Sequence, residues 1–101
     1  MLKNELPIPP AALSDKNARE LVRVWAASSQ QHVSLAAGLW DDPAAWGIML
    51  VDLARHLAKA YEISQGFTFD VALTRIREGM EAEWVEDTDA NRIGDMHSEP
   101  D

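Results

Sequence analysis

The second half of the chain carries two runs in which apolar residues recur every three or four positions, the signature of an amphipathic helix. In the first, Trp46, Met49, Leu50, Leu53, Leu57, Ala60 and Tyr61 share one broad face, while Asp52, Arg55, His56, Lys59 and Glu62 gather on the other. Asp42 is placed to cap this helix and Pro43 suits its first turn, where a missing N–H costs nothing. The run continues to about Ser64, and Gln65–Gly66 stop it. In the second run, Phe69, Ala72, Leu73, Ile76, Met80 and Trp84 form the stripe, with Thr68 as cap and Asp70 in the favourable first turn. The short link between them predicts that the second helix folds back on the first.

Upstream the pattern supports two readings. Residues 21–27 and 32–36 form two short β-prone pieces around a turn at 28–31, because Val22, Val24 and Trp25 favour an extended backbone and HVSL is too brief for a helix. Alternatively Ala18, Leu21, Val22 and Trp25 line a helix capped by Ser14. A lone strand at 32–35 would leave its backbone groups without a ladder, which favours the hairpin. A short helical turn is expected around 15–19. The predicted fold is thus a small α+β domain in the order β-β-α-α, an antiparallel hairpin packed on two antiparallel helices, with α-β-α-α as the alternative. Residues 1–13, with prolines at 7, 9 and 10, are expected to form an extended arm that covers the core through Leu6, Ile8 and Leu13. Residues 14–86 form the single domain, and 87–101, which lack an apolar period, a flexible acidic tail.

Composition narrows the function classes. A chain of 101 residues supports one small core, to which four tryptophans bring large apolar areas. A homodimer joined through residues 21–35 would enlarge that core and protect the hairpin edges. The absence of cysteine removes disulfides, thiolate nucleophiles and cysteine-ligated metals. Seventeen acidic residues against nine basic ones give a formal charge of −8, and the basic residues form no concentrated patch, so no nucleic-acid binding is expected. Neither a signal peptide nor a membrane-spanning run is visible, which predicts a soluble, cytoplasmic protein.

Candidate chemistry centres on the polar face of the first long helix. Asp52 and His56 stand four residues apart, so a carboxylate could orient an imidazole for proton transfer, with Arg55 or Lys59 binding an anionic group. No serine stands in a nucleophile-elbow context, and the same four residues are ordinary on a solvated helix face. His32, His56 and His97 lack ligand spacing, and Glu86, Asp87 and Asp89 lack the glycine and terminal glutamate of a calcium loop, so no metal is expected. The five glycines are scattered and form no phosphate cradle, and no cofactor is expected. Gly47 and Gly79 are read as sites of close helix packing.

The segments LPIPPAALSD (6–15), RVWAA (23–27), HVSL (32–35), DPAAWGIMLVDLARHLAKAY (42–61) and ALTRIREGMEAEW (72–84) resemble a family of small bacterial proteins, the domain-of-unknown-function family DUF5076. The resemblance covers most of the chain and implies neither a reaction nor catalytic residues. The chain departs from that family at Ser28, Ser29, Gln30 and Gln31, where a glycine-bearing turn is common. The functional expectation is a noncatalytic protein-interaction or regulatory module, with Trp40, Arg55, His56 and Lys59 as its recognition surface. The alternative is a small enzyme using Asp52 and His56 for general acid/base chemistry on an anionic small molecule.

Overall fold

The computed structural model describes residues 3–85 and the backbone of 93–98. The elements run α1 (Pro10–Ser14), β1 (Val22–Ala27), β2 (Gln30–Leu35), α2 (Ala44–Gln65), α3 (Phe69–Trp84) and β3 (Ile93–Ser98). This is an α+β domain with an antiparallel hairpin and two long helices. The order begins with a helix, which brings it closer to α-β-α-α than to β-β-α-α. That helix lies upstream of the segment in question, however, and Val22–Ala27 is a strand. Its start inside the proline-rich arm has a local cause. Pro9 and Pro10 preset φ for a first turn whose amides need no partner, and Ala12 N–H and Leu13 N–H then bond the Pro9 carbonyl at 3.0 and 3.3 Å. The arm is therefore not extended throughout, and it does not bury its apolar residues: Leu6, Ile8 and Leu13 are all exposed.

β1 and β2 pair with Val24 opposite Val33 and Trp25 opposite His32, closing on Ala27 opposite Gln30. Only Ser28 and Ser29 remain in the turn, at φ 54° and 62°. Two consecutive positive φ values are the hairpin geometry whose twist matches the flanking strands. β2 is central, with β3 parallel to it on the other side and a register irregularity between Gln31 and Val33. Ile93–Ser98 falls inside the stretch expected to be a loose acidic tail, so that expectation is corrected there. An apolar period is not required where a strand gains its stability from the ladder. Residues 86–92 and 99–101 lie outside the described residues.

α2 begins one residue later than expected: Pro43, not Asp42, is its N-cap, and the Asp42 carboxylate ahead of it accepts the N–H of Ala44, the first helical residue, at 2.9 Å. Gly66, at φ 79°, ends the helix in the left-handed conformation that glycine adopts without a Cβ clash. The Thr68 hydroxyl accepts the Val71 N–H at 3.2 Å and caps α3, which begins at the next residue. That compact link turns α3 back onto α2, where Ala54, Ala58 and Ala72 are buried and close the helix pair. These three alanines are the whole buried apolar set among the described residues. Gly47 and Gly79 do not serve close packing within the chain, since a Cβ at either would meet nothing within 4 Å. Close contacts are concentrated within the sheet and within the helix pair, and the radius of gyration, 15.5 Å, exceeds the roughly 13 Å of a compact domain of this length.

Candidate functional site

α2 and α3 together form an open groove of about 430 Å³ whose lining combines apolar and charged side chains. Its apolar lining is the buried Ala54 and half-buried Leu73 together with the exposed Val51, Met80 and Trp84. Arg55 stands on one bank, Arg77 and Glu81 on the other. Helical spacing explains the set: 51, 54 and 55 share one flank of α2, and 73, 77, 80, 81 and 84 share the matching flank of α3.

The two guanidiniums are held only loosely. Arg55 donates to Asp52 at 3.4 Å and Arg77 stands 3.5 Å from Glu81, with all four side chains at least 60% exposed. Pairs of this kind contribute little to stability and exchange readily for another anion. Further along α2, Lys59 donates to Glu62 at 2.9 Å. That hydrogen bond and the lysine's charge, together with a backbone bond from Phe69, hold the Glu62 carboxyl below its ordinary value against a small opposing effect of burial.

The residues singled out in the sequence are only partly brought together. Arg55 lines the groove, but Asp52 bonds Arg55 and not His56; no hydrogen bond joins His56 to Asp52 among the described residues. Lys59 is engaged by Glu62 on the exposed side. Trp40 sits ahead of α2, edge-on to Trp46 with ring centroids 4.9 Å apart. Arg77 and Trp84 were missed as site residues, because their roles depend on how α3 lies against α2, which spacing within one helix does not reveal. No cluster of three or more metal-ligating side chains occurs among the described residues. None of their helices is long and apolar enough to cross a membrane.

A larger hollow, about 740 Å³, separates the N-terminal arm from β1 and takes in Glu5, Arg19, Glu20 and Arg23. Arg23 is held by Glu20 at 2.6 Å, so this hollow mixes both signs of charge without presenting a paired cationic rim.

Comparison with known families matches residues 5–88 to the family described as Domain of unknown function (DUF5076). The chain belongs to that family. No curated protein matches it. Among solved structures, the chain is similar to one described as a "putative pyruvate dehydrogenase" from the photosynthetic bacterium Rhodopseudomonas palustrus CGA009, at 35% identity and a TM-score of 0.68. The likeness covers 85% of this DUF5076 chain and 87% of the other. It corrects the expectation of a noncatalytic interaction or regulatory module, and with it the expectation that the protein is not an enzyme. A chain about one-third identical over most of both lengths bears an enzyme's description, which favours the enzymatic alternative.

Proposed function

We propose that this DUF5076 protein is an enzyme acting on a small anionic molecule of the 2-oxo acid class, with the α2–α3 groove as its substrate site. The observation that carries the reading is the placement of Arg55 and Arg77 on opposite banks of one apolar groove. A guanidinium offers a planar fork that matches a carboxylate, and two of them compensate for the acidic background of the whole chain. Leu73, Met80 and Trp84 offer apolar surface to the non-ionic end of such a molecule. The likeness to a protein described as a pyruvate dehydrogenase supports the substrate class.

In this reading Arg55 and Arg77 leave Asp52 and Glu81 to bind the substrate carboxylate. Neither His56 nor Asp52 lines the groove, so this reading gives that pair no part in handling the substrate. Oxidation of a 2-oxo acid also needs an electron acceptor; the residues named here supply substrate binding only.

Titration of the full chain with pyruvate, followed by amide NMR shifts, tests the reading. Saturable shifts confined to the groove residues of α2 and α3 are expected. Arg55→Gln and Arg77→Gln should each weaken binding by about tenfold, corresponding to loss of roughly one charge-assisted hydrogen bond. Acetone, which keeps the carbonyl and lacks the carboxylate, should produce no such shifts. Absence of saturable shifts with pyruvate, or variants that bind pyruvate as tightly as the unaltered chain, would overturn the proposal.

A further inference from the structure

α2 presents two seams with the same alternating spacing of three and four. One is built of small residues, Gly47, Val51, Ala54 and Ala58, and its centre is buried against α3. The other is built of large ones, Trp46, Leu50, Leu53 and Leu57, continuing to Ala60 and Ser64. Its leucines are 47, 43 and 46% exposed, although this is the most regular apolar stripe in the chain. A heptad-spaced seam is the form in which one helix receives another of the same kind.

We propose that this second seam is closed by α2 of a second copy of the chain, the two helices running antiparallel about a two-fold axis near residues 55–56. The occupant follows from the seam's own sequence. In an antiparallel pair related by that axis, Trp46 meets Ser64 of the second copy, Leu50 meets Ala60 and Leu53 meets Leu57. Each large residue outside the centre is thus matched with a small one, and the two central layers are leucine on leucine. On one margin Gly47 faces Tyr61, and on the other Met49 faces Ile63, which is 76% exposed in the single chain. The open space around Gly47 acquires an occupant, the Tyr61 ring of the second copy. Ser64 already donates its hydroxyl to the Ala60 carbonyl at 2.7 Å, so it enters an apolar layer with its donor satisfied.

Charge points the same way. No carboxylate lies in the seam, so two chains of formal charge −8 can meet there without burying an acid. Arg55 lies on the far side of α2 from the leucines, so the dimer leaves the α2–α3 groove open on both copies. This inference does not depend on what that groove binds.

Light scattering across protein concentration should give a mass twice 11.2 kDa for the full chain. Leu53→Glu and Leu57→Lys should each weaken the dimer by at least about a hundredfold, because each places two unpaired charges in the seam. Mixing the two variants should restore a dimer, since one central layer becomes Glu with Lys and the other returns to Leu with Leu. That recovery separates a lost interface from a lost fold. As a second readout on an exposed position, His56→Cys should cross-link between copies with a short bismaleimide, and Ile48→Cys, on the opposite side of α2, should not; the chain has no other cysteine. A monomeric full chain, a mixture that stays monomeric, or equal cross-linking at both positions would overturn the proposal.

Discussion

Ser28 and Ser29 hold the hairpin turn in a conformation that costs an L-residue roughly 1–2 kcal/mol, because its Cβ crowds the following carbonyl. Asparagine and glycine accept that conformation with far less strain. Replacing the pair by Asn-Gly should therefore raise the unfolding free energy by about 1–2 kcal/mol, measured by chemical denaturation. No glycine stands at 28–31, where the family commonly has one, yet the tight turn forms. A six-residue ladder with Trp25 opposite His32 outweighs the local strain of two serines, and that balance is set by pairing, which the turn residues alone do not display. The caps were more legible. Thr68 caps α3 through the Val71 amide, and Asp42, one residue ahead of the Pro43 N-cap, bonds the Ala44 amide, so both contacts depend on sequence neighbours only.

At the scale of the element, α2 shows what periodicity reports and what it leaves open. The stripe of Leu50, Leu53 and Leu57 marks residues that favour burial, but α3 packs on the neighbouring line of alanines. Periodicity identifies a face without saying which partner covers it. The contact with α3 is close because its residues are small, and Ala58 has no exposed surface left. Ala58→Leu should force the helices apart and destabilise the fold by about 1–3 kcal/mol, seen as a lower denaturation midpoint with the slope unchanged. The groove depends on the same spacing, since Arg55 and Arg77 line one groove only when α3 lies along the alanine line. For that reason the sequence disclosed Arg55 on a polar face but not its counterpart. The Asp52 and His56 pair was legible as spacing alone; the structure engages Asp52 with Arg55 instead.

For the molecule as a whole, β3 lies beyond the 5–88 span shared with the family, so a chain ending at residue 88 tests what that span can do alone. It should keep the helical far-ultraviolet circular dichroism of α2 and α3. The β2 amides that face β3 should exchange with solvent markedly faster, because a central strand has become an edge. Unchanged exchange at Gln31–Leu35 positions would show that β3 contributes nothing to the sheet. The parallel pairing of β2 with β3 also orders events in time. β1 and β2 meet across two residues and α2 and α3 across a short link, so both form from near neighbours. β3 reaches β2 only after the whole helical hairpin has been traversed, and the loop-closure entropy of that span is recovered only when the earlier units are in place. During synthesis the free side of β2 stays unpaired until residues 93–98 have emerged, which makes that edge the site where a nascent chain is most open to capture by another strand.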